Sequence, residues 1–344
     1  MTEPTENTKP DLSLSITMIQ MVTSFWLCRA IYVAASLGIC DILKQESRGF
    51  EELAEMTGSH APSLYRMLRA LASAGILTEQ QYGRFALTPL GATLCTDVPG
   101  SLNAWVRVQL GEEHYRAWGD PLHSVRTGEI AFDHVFGMGV WKYRAENEEH
   151  AKLFDEAMAN LTGIYNTAVL SSYSFSRFQR IIDVGGGDGG LLIAILKENP
   201  KLTGVLVDIP HVAEKARTRI GGAGLMDRCQ VVAGDAFNSV PEGGDAYILS
   251  RVVHDWDDSR SIVLLKNCHR AMDANGRLIV IEGVIAPDNE PSITKYFDLN
   301  MMILNGGCER TAKDYQSLFQ VAGFKLVGIT PTQSAMSVLE AEKA

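Results

Sequence analysis

Between Ile181 and Gly190 the chain reads IIDVGGGDGG, an apolar run carrying one aspartate and then a turn of glycine and aspartate alone. A turn so poor in side chains suits a backbone that bends through positive φ or lets a ligand approach closely. It also marks a change of rhythm. After Arg180, apolar strands alternate with helical stretches such as LLIAILKEN and SRSIVLLKNCHRAM. Strands are expected at Ile181–Val184, Gly204–Asp208, Cys229–Ala233, Asp245–Ser250, Arg277–Glu282, Phe324–Thr330 and Ala335–Glu340. Such alternation implies an α/β fold with a mainly parallel sheet covered on both faces. Only PTQS separates the last two strands, too short for a parallel crossover, so they are expected to pair as an antiparallel hairpin.

The chain before this point is helical in pattern. SFWLCRAIYVAASLGICDILK (Ser24–Lys44) is apolar around most of its circumference and is expected to be buried on several sides, in a core or between subunits. EELAEMTGSHAPSLYRMLRALASAG then gives two helices, the second opening near Ser59 or Ala61-Pro62. ILTEQQYGRFALTPLG follows as a hairpin turning at Tyr82-Gly83. Helix, helix and hairpin in this order make a winged helix, whose second helix reads DNA in the DNA-binding versions. Here that helix carries only Arg66 and Arg69, and the 344-residue chain has a net charge of −10. An acidic chain lacks the basic face that nucleic acid or an anionic membrane attracts, so a dimerisation or substrate-lid role is expected instead. From Ser101 to Tyr173 the pattern is helical and aromatic, suited to a core or to a pocket for a flat ligand.

No unbroken apolar run approaches the ~18 residues of a membrane span. The polar start MTEPTENTKPD reads as a disordered tail without a signal-peptide pattern. The six cysteines are scattered with no C-x-x-C pair, which argues for reduced thiols in a cytoplasmic protein rather than for disulfides or zinc. The expected organisation is a tail at 1–12, a winged-helix domain at 13–105, a helical pocket region at 106–172 and a ligand-binding α/β domain at 173–344.

The glycine turn fits two templates. Gly185, Gly187 and Gly190 satisfy the dinucleotide pattern G-x-G-x-x-G, and Gly185, Gly187 and Gly189 the shorter G-x-G-x-G found with S-adenosylmethionine. Asp208 ends the second strand, where an acid can accept both hydroxyls of a ribose diol that the two cofactors share. Asp235 follows the third strand and Ser250-Arg251 end the fourth, so all three face the carboxyl-end crevice where open α/β sheets bind ligands. The terminal hairpin and the lack of a second phosphate site favour the sulfonium cofactor over NAD. His254 comes just after the fourth strand, and its ordinary pKa near 6.5 suits proton removal. Glu282 ends the fifth strand and Glu309 lies in NGGCERT. Either can orient an imidazole, and either can instead serve as a cap or surface residue. Asp257 and Asp258 read as helix N-terminal residues, and a metal site built from them with His254 is too crowded in sequence.

Taken together, IIDVGGGDGG, LVDIPHV, GDAF, HDWDD, IVIEGVIAPD and NGGCERT…AGF occur in the order and approximate spacing of the small-molecule O-methyltransferases. The chain resembles that family over nearly its whole length, through the caffeic acid and bacterial polyketide types. The resemblance implies a Rossmann-like seven-stranded methyltransferase sheet, mostly parallel with a terminal antiparallel hairpin, and an N-terminal winged-helix domain that joins a homodimer. It implies S-adenosylmethionine as cofactor, S-adenosylhomocysteine as product, and no metal. Gly185 would lie against the methionine part, Asp208 at the ribose, and Asp235 with Ala236 at the adenine edge, with Gly187 and Phe237 also in the cofactor site. Asp183, inside the strand near the turn, is placed to orient the loop or the donor's amino group. Ser250 and Arg251 would complete that pocket. His254 would be the general base, braced by Glu282 and Glu309. Gln109, Trp118, Phe154, Met158, Asp255, Asn300, Met301 and Asn305 would shape the pocket of an aromatic acceptor. Two other readings stand beside this one: a winged-helix regulator that senses a metabolite, and an NAD-dependent oxidoreductase.

Overall fold

A computed structural model of the chain describes residues 12–344, and the expected tail falls, except for Leu12, outside them. The described residues form two units, one running to Tyr115 and including Lys152–Ala157, the other comprising Arg116–Ala151 and Met158–Ala344.

In the first unit the long apolar stretch is divided. A helix spans Leu12–Ser36, Gly38 turns the chain at φ 66, and a short helix Ile39–Ile42 follows. The single helix expected at Ser24–Lys44 therefore starts earlier and stops sooner, because the left-handed Gly38 ends it. Its apolar residues are interleaved with Ser, Thr and Gln, so counting unbroken runs missed its length. By length and composition alone it is long and apolar enough to cross a membrane. Within this unit Leu14, Met18, Met21, Val22 and Trp26 are exposed.

Helices Phe50–Thr57 and Ala61–Ser73 come next, the second opening with a proline in its first turn. Its Leu64, Leu68 and Leu71, at spacings of four and three residues, form one buried face. Three short strands, β1 (Arg48–Gly49), β2 (Leu77–Gln81) and β3 (Arg84–Leu87), form an antiparallel sheet ordered β1-β3-β2. The hairpin turns at Gly83 as expected. Its φ is 76, and a Cβ there would lie 2.8 Å from the Phe50 ring.

The second unit is built on β4 (Arg180–Val184), β5 (Thr203–Asp208), β6 (Cys229–Ala233), β7 (Ala246–Ser250), β8 (Arg277–Ile285), β9 (Arg310–Thr311), β10 (Phe324–Pro331) and β11 (Met336–Lys343). The main path runs β10-β11-β8-β7-β4-β5-β6. The five strands β4 to β8 pair in parallel, and β11 pairs antiparallel with both β8 and β10. The mostly parallel seven-stranded sheet with its terminal hairpin is thus observed. Successive residues of a strand enter opposite cores, as the pleat requires. Ile181, Ile248 and Ile279 pack on one face, and Ile182, Leu249 and Val280 on the other. The strand β9 was not expected: it pairs in parallel with the extended end of β8, Val284 opposite Arg310. Strand order reverses at β4, and that geometry opens a crevice at the carboxyl ends of β4 and β7.

Candidate active site

The glycine turn leaves β4 at this crevice. Gly185 takes φ 69 and Gly187 φ 59, and a Cβ on Gly185 would lie 2.9 Å from Val252. The Gly185 N–H donates to Val207 at 2.9 Å and that of Gly187 to Asp208 Oδ2 at 2.9 Å. Asp208 Oδ1 accepts from the Ile209 N–H at 2.7 Å. Its carboxylate is therefore fixed at the end of β5, and each oxygen keeps a lone pair for a further donor. Burial raises its pKa, against those two backbone donors.

Asp183, inside β4, is buried with both oxygens unpartnered. Burial, with Asp208 and Asp188 nearby, pushes it up to about 7. Asp188 is taken by Arg219. Beyond β6, Asp235 accepts from the Phe237 N–H at 2.9 Å, and Asn267 donates to the carbonyls of Ala236 and Phe237 at 2.7 and 2.8 Å. The Phe237 and Trp256 rings meet edge to face at 4.9 Å under the Arg260 guanidinium.

Ser250 ends β7, and Arg251 follows at φ 55, one of two non-glycine residues at positive φ among the described residues. Such strain collects at functional positions. The Arg251 guanidinium reaches Thr162 and lies 5.6 Å from the Tyr165 ring centroid. A 3₁₀ turn, Val253–Asp255, then presents His254. Its Nδ1 lies 3.2 Å from Glu282 Oε2 and 3.4 Å from Glu309 Oε1, shared between the two and aligned squarely with neither. Nε2 lies 3.8 Å from Asp255 Oδ1. Burial opposes the imidazolium, but the nearby carboxylates of Glu282 and Glu309 outweigh it and raise His254 to about 9. Burial raises Glu282 to about 7, held down by His254 and pushed up by Glu309. Glu282 Oε1 is committed to backbone donors, the N–H groups of Val252 at 2.9 Å, Val253 at 2.8 Å and His254 at 3.4 Å.

Of the other residues singled out in sequence, Asn305 donates to Asp255 at 3.3 Å and so joins the His254 cluster. Trp118 Nε1 donates to Asn300 Oδ1 at 2.9 Å, bringing those two together. Met301 lies beside Asn300 in the helix Ile293–Leu304, and Met158 lies in the helix Glu148–Ser172. Gln109 and Phe154 fall in the first unit. Asp257 caps the following helix through the Arg260 N–H at 2.9 Å and Asp258 is its first residue, both as expected, and Asp258 also pairs with Arg310.

His254, Glu282 and Glu309 offer one metal-ligand atom each within 4.8 Å of one another. Three N–H donors on Glu282 Oε1 and ion-pair spacing at Nδ1 match a braced imidazole more closely. A second group, Asp120, His123 and His134, meets the same distance limit. There the two imidazoles stack at 3.9 Å with planes 4° apart. No nearby point lies in both planes, so their lone pairs do not converge on one ion.

The sheet with its terminal antiparallel hairpin, and this crevice with an acid at the end of β5 and a glycine turn after β4, match an S-adenosylmethionine-dependent methyltransferase. Residues 115–325 match the O-methyltransferase domain family and residues 19–97 the O-methyltransferase dimerisation domain family. The chain is 46% identical to phenazine O-methyltransferase PhzM of Lysobacter antibioticus, over 98% of this chain and 99% of that protein. It is 36% identical to the mitomycin biosynthesis 6-O-methyltransferase of Streptomyces lavendulae, over 90% and 89%. The S-adenosylhomocysteine-bound structure of CalO1, a methyltransferase in calicheamicin biosynthesis, superposes with a TM-score of 0.90 at 31% identity, covering 98% of this chain and 100% of that one. This chain belongs to the O-methyltransferase family, and its cofactor is S-adenosylmethionine. Membership in that family replaces the NAD-dependent reading.

Proposed function

We propose that the chain methylates a hydroxyl, phenolic in our reading, of a small aromatic natural product, with His254 as general base. The observation that carries this is the placement of Nδ1 between two buried glutamates. We assign its proton to that side, since both acceptors lie there, which leaves the Nε2 lone pair for the acceptor hydroxyl. Glu282 and Glu309 orient the ring and stabilise the imidazolium once the proton has moved. Bound S-adenosylmethionine supplies the electrophilic methyl group. Asp208 is suited to the ribose diol, Asp183 with Gly185 and Gly187 to the methionine end, and Asp235, Ala236 and Phe237 to the adenine. Ser250 and Arg251 close the same pocket. Holding two reactants at attack distance accounts for most of the acceleration, and the base adds roughly 10²–10⁴-fold.

Trp118, Asn300, Met301 and Met158, with Asp255 and Asn305, are assigned to the acceptor. Relatives named for a phenazine and for 3-amino-4-hydroxybenzoate support a flat aromatic acceptor. The dimerisation-domain match and the exposed apolar face of Leu12–Ser36 support a homodimer in which a second copy covers that face. The test is a panel of hydroxylated and aminated aromatics offered with labelled methyl donor, the products located by NMR. Methylation at oxygen is expected. Methylation confined to nitrogen or carbon overturns the proposal.

A further inference from the structure

We infer that Arg310 is a positioning residue for the base, tying the turn that carries His254 to the paired strands β8 and β9, with Glu282 in β8 and Glu309 just before β9. This rests on the reading of His254 as the base. The Arg310 guanidinium is buried, and its donors go to that turn and to the first residue of the helix after it. Nη1 donates to the Val253 carbonyl at 3.0 Å and Nη2 to the Trp256 carbonyl at 2.8 Å. Nε and Nη2 donate to Asp258 Oδ1 at 3.0 and 2.8 Å. The bonded carbonyls belong to residues 253 and 256, on either side of His254. The His254 carbonyl itself accepts from the Cys308 N–H at 2.9 Å.

At its other end Arg310 is placed by β9, which lies in register with β8 at Val284, two residues past Glu282. Glu309 is its chain neighbour. One planar group thus fixes the distance between the imidazole and the two carboxylates that flank it. A lysine cannot span two carbonyls and a carboxylate from a single fixed plane.

The Asp258 side chain is largely exposed, and an ion pair to an exposed carboxylate contributes little by itself. The weight falls on the two backbone carbonyls. Among the described residues they have one other side-chain donor, the Ser261 hydroxyl, at 3.4 Å from each. That distance is long for an O–H donor, so losing the guanidinium leaves these two carbonyls weakly held, while the turn's N–H groups stay on Glu282 Oε1. A misplacement on the order of 1 Å at a reacting group costs about 10²-fold in rate.

The experiment compares Arg310→Met, Arg310→Lys and His254→Gln with wild type, reading kcat, the KM for S-adenosylmethionine, the pH–rate profile and Tm. Arg310→Met is expected to lower kcat by about 10- to 100-fold with the cofactor KM within about threefold. Its rising pH limb should move to lower pH as Nδ1 loses its carboxylates. Arg310→Lys should fall between the two in both readouts, and it decides the matter if Arg310→Met does not fold. A purely structural role lowers the active fraction and Tm but leaves the pH limb in place, and that result overturns the inference. So does a wild-type kcat in either variant. Turnover retained in His254→Gln removes the base itself, whereas an inactive His254→Gln beside an unperturbed Arg310→Lys removes only the role of Arg310.

Discussion

Glu282 meets His254 with both of its oxygens. Oε1 accepts from the histidine backbone N–H at 3.4 Å, together with those of Val252 and Val253, while Oε2 lies 3.2 Å from the ring Nδ1. One buried carboxylate therefore fixes the backbone of the turn and orients the ring it presents. Replacing it disturbs position and charge together, so the electrostatics are better tested through pH.

His254 is raised from 6.5 to about 9 and Glu282 from 4.5 to about 7. A base must be neutral to take a proton, so the rate should rise with pH. The sulfonium charge of the bound donor opposes the imidazolium, which places the limb below 9 in the donor complex. Stability runs the other way. A histidine with a raised folded pKa stabilises fully below 6.5, and that contribution is lost as pH rises through 9. Scanning Tm of the cofactor-free protein should show a fall between pH 6.5 and 9 that is flatter in His254→Gln. A Tm that climbs across that window contradicts the pairing.

Asp183 makes the opposite kind of test, since its burial is a cost to the free protein. An acid raised from 3.8 to about 7 holds its proton in the folded state, and ionising it at higher pH costs the fold a few kcal/mol. Asp183→Asn should raise Tm at pH 8, leave it nearly unchanged near pH 4, and weaken S-adenosylhomocysteine binding. Calorimetry and thermal melts read both. Unchanged affinity would detach Asp183 from the cofactor.

Asp208 carries the ribose assignment. Two hydrogen bonds to a charged acceptor contribute about 1.5–3 kcal/mol each, so Asp208→Ala should weaken S-adenosylhomocysteine by about 10²-fold or more. Isothermal titration measures it. A change under threefold would place the ribose elsewhere.

Val22 and Trp26 stand out from the helix Leu12–Ser36, 66% and 70% exposed. If a second copy covers them, a carboxylate there has to be desolvated on association. Val22→Asp with Trp26→Asp should give a monomer by light scattering, against a wild-type dimer. A monomeric wild-type protein, or a double variant that remains dimeric, removes this face from the interface.

Much of this was legible in the chain. The strands β4 to β8 show as apolar runs bounded by turns, and Gly83 and PTQS mark their hairpins because local geometry alone requires them. Asp208 and His254 were legible through position at the carboxyl edge, the first ending a strand and the second following one. Arg310 was not. Its partners are carbonyls some fifty residues away, and no spacing rule encodes a side chain reaching for backbone. Asp258 opens the helix as its sequence position implies, but its pairing with Arg310 was not legible, because only the tertiary fold brings that side chain to it. The break at Gly38 was missed because one glycine within an apolar run reads equally as helix interior.

The most direct measurement is single-turnover methyl transfer by His254→Gln and His254→Ala, with S-adenosylhomocysteine affinity measured in parallel. Loss of about 10²–10⁴-fold in the transfer rate, with the dissociation constant within about threefold of wild type, is the predicted result. Transfer at the wild-type rate in either variant would contradict the assignment of His254 as the base.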